Sequence, residues 1–506
     1  MAGIASVVGG ISSENSLRIL NLMAKSAGHR GREERFMVTG TETGVRVVSS
    51  SAELPPNPHM MLSLFTHREI EDLIDLQTES LIMIDTATPK TGIQDLLESR
   101  TSDKDSLPCI FNSLAMVVDA GGLRVLRSID GTRPFHYGRV DGSVLLATDK
   151  RSLWAGGISN VHSLNPGCEL RVSWTGNITL EESLSIDEIV VVRGAPQEQL
   201  IQSLKQTLLS SFSRLEDCAK CAVLFSGGVD SSLAGLLASK RCSNTVLIST
   251  YAKGSRDASV VLHAADLLAL DVIKVPMSDK IVWDLLPEVV YATECTRRMD
   301  IEIALPFFLA AREAGRQGIP LVVSGQGPDE LFAGYAKHVR LYENRGEEAL
   351  EVQLRKEVSI THETNIERDE RAISFCGVDA WFPYFDHEFV KLALSIPANR
   401  KIAVGKTPER KIIFRELATE LGLPMELAHA PKKATQYSSG AARMLSIAIS
   451  EHVPECRDLT KRQLNLRVQD VLNYIAKQLE MPIRNDVTHS YNFDVKLSSL
   501  IIGYPS

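Results

Sequence analysis

Phe225-Ser226-Gly227-Gly228-Val229-Asp230-Ser231-Ser232 stands between the apolar run Cys221-Ala222-Val223-Leu224 and a second apolar stretch, Leu233-Ala234-Gly235-Leu236-Leu237-Ala238. The first run reads as a buried strand and the second as a helix. A strand that passes into a helix through a turn of small residues points free backbone N–H groups and a helix N-terminus at an anion. Two glycines let the backbone approach phosphate oxygens, and the serine hydroxyls add donors. Asp230 is no phosphate ligand by itself, so its carboxylate is assigned to a Mg²⁺ that bridges phosphates.

The motif is not of the Walker type, which needs a Lys after its second Gly. The nearest look-alike, Gly405-Lys406-Thr407, has Arg400 where the first Gly should stand. SGGxDS after a strand instead resembles the pyrophosphatase loop of enzymes that cleave ATP between its α and β phosphates. The 506 residues leave room for two or three domains with a buried core. A net charge of −8 argues against a broad nucleic-acid footprint. There is no apolar run of about 18 residues to suggest a membrane span. The N-terminus, Met1-Ala2-Gly3-Ile4-Ala5, lacks the basic region of a signal peptide. Eight cysteines over this length suggest reduced thiols and a cytoplasmic location. Cys218 and Cys221 form a CxxC, but no second pair or clustered His follows, and they read as small core residues.

Two halves differ in pattern. Up to about residue 190 the chain is β-rich: Leu114–Val118, Leu123–Leu126 and Val144–Ala147 alternate with Gly and Asp turns. From Pro196 onward helical periodicity is interleaved with short buried strands, Thr245–Thr250 and Leu321–Ser324 being the clearest. Strands alternating with helices imply a doubly wound α/β sheet, with ligands at the carboxyl ends of its strands. Beyond residue 335 the chain reads as mostly helical. Leu464, Val468, Val471, Ile475 and Leu479 fall on one face of a tail helix, as core or as a partner surface.

A second glycine-bearing loop, Ser324-Gly325-Gln326-Gly327-Pro328-Asp329-Glu330-Leu331-Phe332-Ala333-Gly334-Tyr335, again places a carboxylate where a strand gives way to a helix. Asp329 and Asp230 together supply the two carboxylates that a phosphate-bound Mg²⁺ uses. With both loops in hand, the sequence resembles the asparagine synthetase family, which carries SGGxDS followed by SGxGxDELFxGY. The likeness extends through Asn365–Arg371, Trp381–His387, Lys411–Arg415 and Lys432–Gly440, in family order over residues 195–445.

That resemblance implies an ATP-dependent amide ligase. A carboxylate attacks the α-phosphate, pyrophosphate leaves, and an amine opens the acyl-adenylate. It implies Lys432 as the catalytic lysine, with Glu330 and Lys411 as further catalytic candidates. ATP contacts are implied at Leu224, Ser226, Gly227, Gly228, Asp230, Ser231, Ser232, Ser249, Ser324 and Gly325, and Mg²⁺ at Asp230 and Asp329. Gln326, Glu294 and Asp257 are substrate candidates. Residues 191–506 would be the PP-loop ATP-pyrophosphatase domain, and residues 1–190 more faintly resemble the Ntn-type αββα glutaminase (type-2 amidotransferase) domain that usually precedes it. That domain's cues are Gly28-His29-Arg30-Gly31, Asp130–Gly138 and Ala147–Lys150.

Two departures bear on the chemistry. The nucleophilic Cys expected after Met1 is Ala2, which has no group to attack an amide, and no Asn-Gly-Glu-Ile-Tyr-Asn segment is visible. The expected partners are therefore a small-molecule carboxylate and ammonia, without nucleic acid or membrane; the oligomeric state stays open, a homodimer included. Second, Gln326 stands where asparagine synthetases usually carry an acid, and a neutral amide is no general base. Aspartate is the favoured carboxylate. An amide ligase or cyclase acting on another acid, and a catalytically silent scaffold, are the alternatives. Retention of Ser226, Asp230, Asp329, Glu330 and Lys432 speaks against the scaffold, since such charges are costly to desolvate.

Overall fold

The computed structural model describes residues 2–9, 13–41, 44–49, 58–67, 69, 73–76, 81–86, 113–182, 186, 189–216, 218–252, 257–405, 407–430, 440–482 and 493. These form two compact units, Met1–Ser185 and Ile186–Gly503.

The first unit is a sandwich of two antiparallel sheets. One runs, in spatial order, His162–Ser163, His136–Val140, Ser143–Ala147, Gly3–Val8, Met60–Thr66, Arg32–Gly40, Val45–Ser49. The other runs Ile178–Glu182, Cys168–Val172, Gly122–Arg127, Ser113–Asp119, Leu81–Thr86, Ile74–Leu76. The period-2 alternation of a strand sorts its residues between layers. Ile4 and Val8 join Leu62, Met83, Met116 and Val125 in the core between the sheets. Ala5 and Val7 face the other way, against Ile19, Leu20 and Met23 of the helix Ser13–Lys25. Ala2 is 1% exposed and belongs to the inter-sheet core.

The second unit carries a five-stranded parallel sheet. Its strands are β1 (Cys221–Leu224), β2 (Thr245–Ala252), β3 (Val272–Met277), β4 (Leu321–Val323) and β5 (Asp379–Trp381). Their spatial order is β3-β2-β1-β4-β5, with β1 pairing β2 on one side and β4 on the other, all parallel. Right-handed crossovers in that order put helices on both faces. This is why β1 and β4 are continuous apolar runs with every residue buried. Strand order reverses between β1 and β4, and the two glycine-bearing loops leave from the carboxyl ends of those two strands. Such a switch point opens a crevice for a ligand. The α/β class with a parallel sheet, expected from the alternation of strands and helices, is the class observed.

Cys221 opens β1, fully buried, with its Sγ 3.4 Å from Thr245 Oγ1. The tail helix forms over Lys461–Gln478, and Val468, Val471 and Ile475 are among its buried residues. Among the described residues no helix is long and apolar enough to cross a membrane.

Candidate active site

At the end of β1 the chain turns through Ser226-Gly227-Gly228 into the helix Val229–Ser239. Ser231 fastens the turn: its Oγ accepts from the Ser226 N–H at 3.2 Å and donates to the Gly228 carbonyl at 3.3 Å. The loop after β4 lies directly against it. A Cβ on Gly325 would sit 3.0 Å from the Ser231 nitrogen and 3.2 Å from the Asp230 carbonyl carbon, so any larger residue would have to push the first loop's backbone back by a few tenths of an ångström.

The consequence is a convergence of charge. Lys411 Nζ lies 2.7 Å from both Asp230 carboxylate oxygens and 2.7 Å from Asp329 Oδ1. The lysine caps the helix Ile412–Glu420 with a left-handed backbone, φ 57°, a conformation that costs a non-glycine residue about 1 kcal/mol. Its two ion pairs hold it there. Lys411 is 2% exposed. Burial alone would discharge it, but the two carboxylates outweigh burial and hold its pKa above the ordinary lysine value. Tyr384, buried behind the first loop, donates its hydroxyl to the Asp230 carbonyl at 2.8 Å.

The packing there leaves no spare volume. A Cβ on Gly334 would lie 1.8 Å from Asp329 Oδ1 and 2.4 Å from Lys411 Cε. Gly334→Ala is therefore expected to push Asp329 and Lys411 apart. We expect any nucleotide-dependent turnover to fall about 100-fold, the scale of losing one well-placed electrostatic contact, which steady-state rates against wild type will read.

Around this cluster is a cavity of about 470 Å³, within the ~300–1,000 Å³ usual for small-molecule sites. Leu224, Ser226, Gly228, Asp230, Ser231, Ser249, Ser324, Gly325, Gln326, Asp329 and Lys411 all line it. Other expected residues stand elsewhere. Ser232, an expected ATP contact, is fully buried in the first turn of its helix and does not line the cavity. Gly227 makes the turn itself, with φ 73°. Glu330 stands one layer back, receiving the Tyr335 hydroxyl at 2.5 Å and the Asn365 amide at 3.1 Å. Glu294 corrects the expectation that it lines the cleft. It ends the helix Asp279–Thr293, is 8% exposed, and its Oε2 lies 3.1 Å from Arg371 Nε. Lys432 and the side chain of Asp257 lie outside the described residues.

Sequence reasoning missed Tyr335, Asn365, Arg368 and Arg415 as wall residues. All four fall inside or beside motifs, and only the fold shows which side chains of a helix point inward. Tyr335 has its pKa raised well above a free phenol, by burial first and then by Glu330 and Asp329. Arg415 is pushed down by burial against the pull of Asp230. One cavity wall is apolar: Val261, Met299, Ile303, Pro306 and Phe307.

Asp230 and Asp329 are the residues fit to hold a divalent ion. Among the described residues there is no cluster of three or more His, Cys, Asp or Glu side chains that could cage one. A Mg²⁺ that arrives on nucleotide phosphates needs only one or two carboxylates, and this pair fits that demand.

Comparison with known proteins decides the lineage. The asparagine synthase family model matches residues 203–359 and 342–481, together more than half of the chain. The chain belongs to the asparagine synthase family. A Methanocaldococcus jannaschii chain named as a glutamine-hydrolyzing asparagine synthetase is 29% identical over 395 residues, covering 68% of this chain and 72% of its own length. An asparagine synthetase domain-containing protein of Saccharomyces cerevisiae is 25% identical over 309 residues, covering 53% of this chain and 56% of its own. Among solved structures, an NH3-dependent NAD synthetase from Campylobacter jejuni aligns at 13% identity and a TM-score of 0.25 over 58% of this chain and 100% of its own, a score too low to argue from. For this family member both loops, Asp230, Asp329 and Lys411 fall inside the matched region.

Proposed function

We propose that this chain is an ATP-dependent amide ligase that activates a small-molecule carboxylate as its acyl-adenylate and passes the acyl group to ammonia, with aspartate the favoured acid. The observation that carries the reading is the meeting of Asp230, Asp329 and Lys411 between the two loops at the strand switch point. The first loop and its helix N-terminus offer N–H groups to phosphate oxygens. Lys411 supplies positive charge where charge grows in an in-line attack on the α-phosphate. The apolar wall of Met299, Ile303 and Phe307 suits a flat base and keeps water from it. Mg²⁺ held by Asp230 and Asp329 would neutralise phosphate charge when bound.

The balance of bonds is simple. The substrate carboxylate oxygen bonds to the α-phosphorus as the α–β bridge breaks, and pyrophosphate leaves. The amine nitrogen then bonds to the acyl carbon, the acyl–oxygen bond breaks, AMP leaves, and one proton goes to solvent. Lys432, through its family motif, is assigned to stabilise charge in both steps.

Ammonia rather than glutamine is the nitrogen source in this reading. Ala2 is buried in the inter-sheet core with no nucleophile on it, so residues 1–190 serve as a structural partner to the synthetase domain, 191–506. The seven cysteines among the described residues are all free thiols, in keeping with a cytoplasmic setting. Gln326 also favours a second reading, a ligase or cyclase for another carboxylate, because its neutral amide replaces the family's acid.

ATP–pyrophosphate exchange with purified protein and a panel of carboxylic acids tests this. Exchange with aspartate, amide formation with ammonium salts, and no glutamate released from glutamine are expected. Exchange with a different acid moves the substrate to the second reading. No exchange with any acid overturns the ligase.

A further inference from the structure

At the amino end of the parallel sheet, opposite the two glycine-bearing loops, three thiols meet. Cys221 opens β1 and pairs in register with Thr245, which opens β2. Its Sγ lies 3.4 Å from Thr245 Oγ1, and the Thr245 hydroxyl donates to the Cys242 carbonyl at 3.0 Å. Cys242 Sγ donates to the Cys218 carbonyl at 3.1 Å, and Cys218 Sγ lies 3.4 Å from the Lys220 carbonyl oxygen. The Cys218 thiol, half-buried, is thereby within hydrogen-bonding reach of the buried thiols of Cys221 and Cys242. The hydrogen bond with Cys221 outweighs burial and brings Cys218 below the ordinary thiol value, with the Lys220 backbone and Cys242 adding to it. Cys221 is raised in return, by that bond first and by burial second. Elsewhere burial raises the thiols: Cys168, Cys295, Cys376 and Cys456 all move up. Core packing explains a buried thiol, but not a half-buried one pulled toward its thiolate by two others.

We infer that Cys218 is a site of oxidation by hydroperoxides, and that Cys221 closes a reversible disulfide with it. This stands apart from the ligase reading. The thiolate is the form that attacks, and Cys-x-x-Cys is the spacing at which one thiol stabilises its partner's charge. The Cys218 thiolate sulfur bonds to one peroxide oxygen, the O–O bond breaks, and hydroxide leaves to take up the proton Cys218 had shed. The product is a sulfenic acid, which is neutral. Its formation removes the charged partner that holds Cys221 up, and the Cys221 sulfur then bonds to Cys218 Sγ. The S–O bond breaks, and the departing hydroxide takes the Cys221 proton and leaves as water. In sum two thiols lose two electrons and one peroxide becomes two waters. A neighbouring thiol stops oxidation at this stage, short of the irreversible sulfinic acid. A dithiol reductant restores both groups by exchange, as is usual for a transient disulfide in a reducing compartment.

Tryptic cleavage separates the three thiols, because Leu215–Lys220, Cys221–Lys240 and Cys242–Lys253 are different peptides. The full chain is treated with hydrogen peroxide, free thiols are blocked with N-ethylmaleimide, and the unreduced digest is read by mass spectrometry. Leu215–Lys220 joined to Cys221–Lys240 is expected, and dithiothreitol is expected to release the two. In the reduced chain Cys218 is expected to alkylate at least ~10-fold faster than Cys168, which is half-buried as well. Cys218→Ser disturbs no buried thiol and is expected to leave Cys221 and Cys242 reduced at the same peroxide dose. The inference is overturned by a link to Cys242 in place of Cys221, or by a Cys218 that stays reduced. Sulfinic acid at Cys218 without a link, or Cys221 oxidised in Cys218→Ser, overturns it too. Amide formation enters none of these readouts, so failure of the ligase reading would leave them unchanged.

Discussion

Lys411→Met is expected to lower pyrophosphate exchange by about 100- to 1,000-fold, with the protein still folded. The side chain sits 2.7 Å from carboxylate oxygens of both Asp230 and Asp329. Methionine fills much the same volume without charge. Two carboxylates are then left facing each other in the cleft, where like charges raise each other's pKa and a nucleotide's phosphates are repelled. Removing one fixed electrostatic contact to a developing charge costs ~100–1,000-fold in rate. The loss of folding stability is smaller than for a dry ion pair, because the two carboxylates retain side-chain exposures of 23% and 17%. Lys411→Arg is not expected to rescue, because Gly334 leaves no room for a longer side chain. Exchange rates with melting curves for the same preparations check both parts. Wild-type exchange in Lys411→Met removes the lysine from the phosphate site.

Lys401→Met is expected to stabilise the protein. Lys401 is 1% exposed, and burial, partly opposed by Glu351 and reinforced by Arg355, pushes its pKa down to about 7. The unfolded chain holds that proton up to its ordinary value of 10.5. Between the two values the unfolded state binds more protons, so stability rises with pH from about 7 to about 10.5, and the full cost applies below 7. At ~1.4 kcal/mol per unit, burying this charge costs on the order of 4 kcal/mol at neutral pH and below. Methionine carries no such cost. Its midpoint of unfolding is expected to exceed wild type by several degrees at pH 6, with the advantage shrinking by pH 10. A gain that is equal at both pH values, or no gain, contradicts a buried, discharged lysine. The two lysines differ only in company: Lys411 has two carboxylates in contact and stays charged, whereas Lys401 has one weakly opposing acid.

The parallel sheet was legible because buried strands such as Cys221–Leu224 and Leu321–Val323 are apolar without interruption and are followed by small-residue turns. Asp230 and Asp329 were legible for the same reason, since each follows its turn at the head of a helix. What the sequence hid is lateral. Lys411 is 181 positions from Asp230, and nothing in its local pattern announces a left-handed cap aimed between two carboxylates. Ser232 and Glu330 belong to the right loops but sit on the inward side of their first helical turns, where one residue of rotation separates a cavity wall from the core. Glu294 was a substrate candidate, yet it pairs with Arg371 and does not line the cavity. Gln326 reads in the sequence as a departure from the family's acid, and its partner Asp369 lies 43 positions on, out of reach of any local pattern.

The decisive measurement is the crystal structure of the full chain with Mn²⁺ and a non-hydrolysable α,β-methylene ATP, with the metal located by anomalous scattering. The expected result is a peak within coordinating reach of both Asp230 and Asp329, with the α-phosphate against the Ser226–Ser231 turn and the base on the Met299–Phe307 wall. A nucleotide bound elsewhere, or a metal that touches neither carboxylate, would contradict a phosphate site built from these two loops.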